Sequence, residues 1–214
     1  MNISHIHWLG HASFLIEDAG ALVYIDPWKL QPGAPQANLI LITHAHYDHC
    51  SPDDVKIIRK PETIVVGTQD TLEKVGGRGI VVTPGVQIDA GRWKLETLPA
   101  YNLGRKYHPK ENGWVGYIVT LSSGQRIYHT GDTDAIPEIV RAKADVVMLP
   151  CGGTYTMSGI EAGQVARSLN ASVVIPMHWG DIVGSRGDAE AVRRAFEGTV
   201  ILEPERIPKT PQHP

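Results

Sequence analysis

The chain has 214 residues, 42% hydrophobic and 20% charged, with a formal charge of −3 from 20 Lys+Arg against 23 Asp+Glu. That mix excludes a disordered, collagen-like or coiled-coil protein, and the small net charge excludes a global field drawing the molecule to nucleic acid or anionic membrane. A chain of this length buries roughly 70% of its extended surface, so one domain over residues 1–214 is expected.

Residues 1–18 contain no Lys or Arg, and the apolar run at 12–16 stops at Glu17 and Asp18. Neither a signal peptide nor a membrane span is expected, and the location reads as cytoplasmic. Cys50 and Cys151 are too few for a disulfide framework and form no C-x-x-C pair, so both read as small buried thiols. The ten His are another matter. Several cluster beside Asp, which points to metal.

In chain order, short strands are expected at 3–8, 13–17, 22–25, 39–43, 63–66 and 80–83, each closed by turn residues or His. Ser51 and Pro52 should start a helix after the fourth, with Asp53 and Asp54 at its positive end and Lys56, Arg59 and Lys60 in its last turn. One strand is expected over 87–99, then a hairpin of 113–121 with 125–129 turning at Ser122, Ser123 and Gly124. Helices at 136–144, 159–169 and 189–196 alternate with strands at 146–149, 172–176 and 200–202. Ser158 and Glu161 form the capping box of the middle helix, and the Pro-rich tail from 204 reads as extended or frayed. The alternation suggests α/β architecture, two sheets face to face with helices outside.

The most specific segment is Thr43-His44-Ala45-His46-Tyr47-Asp48-His49. His44 and His46 end an apolar strand two residues apart, so their imidazoles point to one side, as two ligands of one ion must. Asp48 and His49 follow as the chain turns into the helix and can serve a second ion. Two more strands end in candidate ligands. His129-Thr130-Gly131-Asp132-Thr133-Asp134 offers a carboxylate at Asp132 able to sit between two cations, after a turn that Gly131 permits. Met177-His178-Trp179-Gly180 delivers one more imidazole. Strand ends along one sheet edge are where open α/β structures gather ligands.

Together with Asp26 at the end of an earlier strand, these segments resemble the metallo-β-lactamase superfamily. The segments G-H-A-S-F-L-I-E (10–17), C-G-G-T-Y-T-M (151–157) and I-P-M-H (175–178) are similar to the small metal-dependent hydrolases grouped with ascorbate-phosphate lactonase and the N-acyl-phosphatidylethanolamine phospholipase D type. The resemblance spans nearly the whole chain and implies a four-layer αββα sandwich with a dinuclear site on one edge. It assigns His44 and His46 to the first ion, Asp48, His49 and His178 to the second, and Asp132 as the bridge. The first ion's third ligand is expected to be His108, with Asn102 as the alternative because it stands where the family usually has His. It further implies that Asp26 orients a ligating imidazole, the plainer reading being a cap on the turn before Pro27, and that His11 leans under the site, the plainer reading being a brace for the Gly10 turn; His129 reads as lying behind the ligands or at a strand end, not among them.

The competing readings are plainer. His5, His7 and His213 read as ordinary hydrogen-bonded residues, Asp134 as a cap for the helix after it, and Ser13 lacks the G-x-S-x-G setting of a nucleophile. Arg105, Lys106 and Lys110 surround His108 and could receive a phosphate or carboxylate, Lys106 being the candidate substrate contact. Trp28, Tyr47, Tyr155 and Trp179 flank ligands, and Tyr155 and Trp179 are the candidate pocket walls.

The expectation is therefore a metal-dependent hydrolase with two divalent ions, zinc first and Mn, Fe or Ni as substitutes. It would activate water against an ester-like bond, lactone or phosphoester, of a small substrate that can be anionic, with Asp48 or Asp132 taking the proton. The alternatives are a phosphodiesterase or nuclease, which the slightly acidic charge disfavours, and a metal-binding sensor without turnover. The expected partner is a small molecule rather than membrane or nucleic acid, with a homo-oligomer left open.

Overall fold

A computed structural model describes residues 2–204; His213 and the expected tail beyond Pro204 lie outside the described residues. Six strands come first: β1 (Ile6–Gly10), β2 (Ser13–Asp18), β3 (Ala21–Ile25), β4 (Leu39–Ile42), β5 (Ile64–Gly67) and β6 (Ile80–Val81). They form one sheet in that order, antiparallel from β1 to β3 and parallel from β3 to β6. Seven more follow: β7 (Gln87–Ala90), β8 (Trp93–Pro99), β9 (Val115–Thr120), β10 (Arg126–His129), β11 (Val146–Pro150), β12 (Val173–Met177) and β13 (Thr199–Val200). This second sheet is antiparallel from β7 to β10 and parallel from β10 to β13.

Alternation along the first sheet separates two cores. Phe14, Ile16, Val23, Ile25, Leu39 and Leu41 join Leu95, Tyr117, Val119 and Ile127 of the second sheet in one cluster. Leu15, Tyr24, Ile40 and Ile42, the residues between them, pack instead with Val55 and Ile58 of α1 (Pro52–Ile58) and Leu72 of α2 (Gln69–Val75). A side-chain period of two puts successive residues on opposite faces, so each strand seals both layers. On the far side, α3 (Gly159–Leu169) and α4 (Arg186–Ala195) cover β11 and β12, whose residues are buried throughout. The result is the expected αββα layering.

Several elements differ from expectation. The expected long strand at 87–99 is a hairpin, because a two-residue turn at Gly91 and Arg92 pairs Ala90 with Trp93 and preserves the alternation through the bend. The helix expected at 136–144 is a single 3-10 turn at Ile139–Arg141. Ile136, Ile139 and Ala142 are the buried residues there, a spacing of three that suits a 3-10 turn better than an α-helix. Helix α2 was not expected; its C-terminus is closed by Arg59, whose guanidinium donates to the carbonyls of Gly76 and Arg78, both at 2.6 Å. Arg59 therefore caps a neighbouring helix rather than lying in the last turn of its own. Helix α4 starts at Arg186, three residues early, because Ser185 and Asp188 make a second capping box. The Ser158–Glu161 box at α3 is present as expected.

Strands β10, β11 and β12 are parallel, and β8 runs with them by pairing through β9. Their carboxyl ends lie against the first sheet: Val115 N–H, which starts β9 beside the end of β8, donates to Thr43 O just past β4 at 3.2 Å, and His178 N–H, just past β12, donates to His11 O in the β1–β2 turn at 2.9 Å. The turn after β10 fits this seam only with glycine. Gly131 has φ +64°, and a Cβ there would lie 2.9 Å from Val115 O and 3.2 Å from Thr43 Cβ. Gly131→Ala is expected to cost at least about 1 kcal/mol, lowering Tm by roughly 2–4 °C or more in a chain of this length. A thermal melt equal to that of the wild type would show that the seam tolerates a side chain.

Candidate metal centre

The seam gathers the candidate ligands. In one group, ligand atoms of His44, His46 and His108 all lie within 4.8 Å of one another; in another, those of His11, Asp48, His49 and His178 do. Asp132 stands between the groups. Its Oδ2 is 2.9 Å from His178 Nε2, 3.2 Å from His108 Nε2, 3.4 Å from His49 Nε2 and 4.0 Å from His44 Nε2. Asp48 Oδ2 lies 3.5 Å from His49 Nε2 and 3.7 Å from His178 Nε2. His44 Nε2 and His46 Nδ1 are 3.1 Å apart.

Three of the rings, those of His44, His49 and His108, are held from the other nitrogen. Asp26, fully buried, accepts from Thr43 N–H at 2.8 Å and from the Thr43 hydroxyl at 2.7 Å, and its Oδ2 meets His49 Nδ1 at 2.7 Å. The Thr43 hydroxyl gives its proton to Asp26, so at 2.9 Å it accepts from His44 Nδ1–H. His108 Nδ1 meets Asn102 Oδ1 at 2.9 Å. In all three rings Nδ1 is committed to a partner behind it and Nε2 faces the centre. Asn102 is therefore oriented towards His108 and away from the role of alternative ligand.

Three atoms make the chemical demand explicit. His49 Nε2, His108 Nε2 and Asp132 Oδ1 are buried with no hydrogen-bond partner among the described residues. Buried polar atoms rarely stay unsatisfied. Imidazole nitrogens and carboxylate oxygens converging on one space are the donor set of a divalent ion, which would displace any ring proton held there, so the residues fit a metal.

Electrostatics agree with that set. Burial, then the neighbouring imidazoles, hold His44 well below the ordinary His value and His46 down to about 4, so both are neutral at neutral pH. For His49 and His178 burial pulls downward as well, but the carboxylates around them, Asp132 above all, outweigh it and raise both. Asp48 and Asp132 are held below the carboxylate range despite burial, Asp48 by hydrogen bonds from His11 and His178, Asp132 by the charges of His178 and His49.

The backbone is bent to make this meeting. Asp26, His11 and His178 have φ of +48°, +51° and +60°, in the left-handed region that side-chain-bearing residues seldom occupy. His11 directs Nε2 at Asp48 Oδ2, 3.0 Å away. His129 lies below: its Nε2 donates to Ala12 O at 2.9 Å and its Nδ1 accepts from Gly131 N–H at 3.2 Å, so it braces two turns and directs neither nitrogen at the centre.

The expected substrate contacts divide. Trp179 is 6% exposed, stacked on Trp8 with ring centroids 4.9 Å apart, its indole N–H bonded to Pro176 O. It packs the core and forms no pocket wall; the left-handed His178 turns the chain inward. Tyr155 is half-buried, its ring 4.8 Å from that of Tyr107, and Lys106 is exposed with its ammonium 6.0 Å from the Tyr107 ring. Arg105 is paired with Asp134 at 2.8 Å and Lys110 with Glu138 at 3.1 Å. Trp28 and Tyr47 stand at the mouth, 6.1 Å between ring centroids, with Tyr47 62% exposed. Trp114, which the sequence did not mark, lies 4.9 Å from both the His44 and His46 rings and closes that side.

Comparison with known proteins agrees with this fold. The model of the β-lactamase superfamily domain matches residues 5–178. The chain belongs to the UPF0173 metal-dependent hydrolases of this superfamily. A relative of that name in Caldivirga maquilingensis is 30% identical over 207 residues, covering 91% of this chain and 90% of the relative. A crystal structure from Parabacteroides distasonis, provisionally described as a metal-dependent hydrolase, superposes with a TM-score of 0.82 at 30% identity, covering 92% of this chain and 91% of that one. A metallo hydrolase from Ignicoccus hospitalis gives 0.76 at 25% identity, with 93% and 94% covered. The fold is thus the metallo-β-lactamase fold. Among the described residues no helix is long and apolar enough to cross a membrane.

Proposed function

We propose that this hydrolase binds two divalent ions, zinc first among them, and cleaves an ester-like bond, lactone or phosphoester, in a small substrate. The observation that carries this is the ring of buried, unpartnered donor atoms at His49, His108 and Asp132. His44, His46 and His108 would hold one ion and Asp48, His49 and His178 the other, with Asp132, whose Oδ2 faces four Nε2 atoms, as the carboxylate they would share. When bound, the ions lower the pKa of water and polarise the substrate oxygen.

The chain's own residues do the rest. Asp26 and Thr43 fix the tautomers of His49 and His44 so that Nε2 faces inward. His11 donates from Nε2 to Asp48 Oδ2, steadying a carboxylate whose Oδ1 accepts the proton from the attacking water. Asp48 suits that task better than Asp132, whose side chain is 2% exposed against 10% for Asp48 and is crowded by imidazoles. Tyr155 with Tyr107, and Trp28 with Tyr47, form the walls, and Lys106 receives an anionic substituent, since Arg105 and Lys110 are already paired.

In the metal-free protein the raised His49 and His178 hold their protons more tightly than a free imidazole does, and ion binding would displace them. Affinity for the ion held by these two should therefore rise with pH through neutrality. The neutral His44 and His46 release no such protons. Calorimetric metal titration in buffers of differing ionisation enthalpy should show proton release for one ion of the two; an absence of proton release would contradict the assignment.

Activity is tested with lactone, phosphodiester and thioester substrates. His46→Ala and Asp132→Ala should each remove turnover by 10²-fold or more, of the order expected for losing a metal-activated nucleophile, while leaving a folded protein. Wild-type turnover with wild-type metal content in either variant would refute the reading, and two bound ions with no turnover on any substrate would favour a sensor.

A further inference from the structure

The loop that carries His108 is closed by Asn102. Asn102 is 7% exposed and His108 1%. Three hydrogen bonds join them: Asn102 N–H to His108 O at 2.7 Å, His108 N–H to Asn102 Oδ1 at 3.1 Å, and His108 Nδ1–H to the same oxygen at 2.9 Å. The amide's other end donates from Nδ2 to the backbone O of Tyr155 at 3.0 Å.

Both ends of this amide are fixed by backbone groups of unambiguous character. A main-chain N–H can only donate, so the atom facing His108 N is the oxygen; a main-chain carbonyl can only accept, so the atom facing Tyr155 O is the NH2. The orientation follows from the chain alone. An amide oxygen has no proton to give, so His108 must carry its ring proton on Nδ1 and present a bare Nε2, the atom that lies 3.2 Å from Asp132 Oδ2 without a hydrogen-bond partner.

We infer that Asn102 is the positioning residue of the His108 ligand: it fixes the tautomer and aim of that imidazole and, through Tyr155, ties the ion to the wall of the substrate site. This rests on the proposed dinuclear centre. It departs from a plain structural role because the acceptor oxygen, not the volume, is what His108 requires. A carboxylate presents an acceptor at the same place; a methyl group does not. Residues acting in this way on a ligand typically change metal affinity about 10–100-fold when removed.

The test uses the full chain, stripped of metal and titrated with zinc or cobalt against a chromophoric chelator, for the wild type, His108→Ala, Asn102→Ala and Asn102→Asp. The wild type should bind two ions and His108→Ala should lose one. Asn102→Ala should weaken the same ion about 10–100-fold and alter the cobalt absorption spectrum, while Asn102→Asp, which keeps the acceptor for His108 but loses the donor to Tyr155 O, holds that ion more tightly than Asn102→Ala does. Two ions at wild-type affinity in Asn102→Ala, with one lost in His108→Ala, would overturn this inference and leave the proposed function standing. A wild type that binds no ions overturns both. Should Asn102→Ala fail to fold, Asn102→Leu, which keeps nearly the volume without the acceptor, decides: wild-type affinity for both ions in that variant overturns the role of the acceptor.

Discussion

An imidazole has two nitrogens, and whichever group holds the far one decides whether the near one offers a lone pair or a proton. In this protein Asp26, Thr43 and Asn102 stand behind His49, His44 and His108 and hold Nδ1 of each ring. The Nε2 atoms are left converging on Asp132 Oδ2 in a space where water cannot freely satisfy them. Much of the surrounding fold follows from building and protecting this arrangement. Buried donors without partners destabilise a protein unless something else engages them, so the centre is costly by itself and a bound metal would relieve that cost.

The sheets supply the aim. Apart from His108, which a loop after β8 carries in, the candidate ligands follow the ends of strands that run to one seam, and left-handed residues at Asp26, His11 and His178 turn the chain sharply enough to present side chains there. Gly131 lets Asp132 approach β9 and Thr43 without a Cβ in the way. Two cores, one between the sheets and one beneath α1 and α2, hold the strands rigid, as a site with tolerances of tenths of an ångström needs.

Much of this was legible in the sequence. Apolar alternation marked the strands, the Ser158–Glu161 box marked α3, and the spacing of His44, His46, Asp48 and His49 placed them on one strand end. What escaped had physical reasons. The hairpin at Gly91 keeps the period of two across its turn, so nothing interrupted the pattern. Trp179 seemed to face the mouth because it follows a candidate ligand, but strand alternation ends at His178, where φ is +60°, and the ring swings onto Trp8 instead. Asn102 and Trp114 act through contacts between segments distant in the chain or between groups set by a loop's closure, and no local spacing encodes them. Asn102 and His108 share one closed loop, so the sequence places both beside the metal site, and only the hydrogen bonds from His108 to Asn102 Oδ1 separate ligand from support.

The central claim is that this seam holds two cations, and diffraction recorded on both sides of the metal absorption edge, from crystals grown without chelator, tests it directly. The account predicts two anomalous peaks, one bonded to His44, His46 and His108 and one to Asp48, His49 and His178, with Asp132 touching both. A single peak, or peaks away from these side chains, would contradict it.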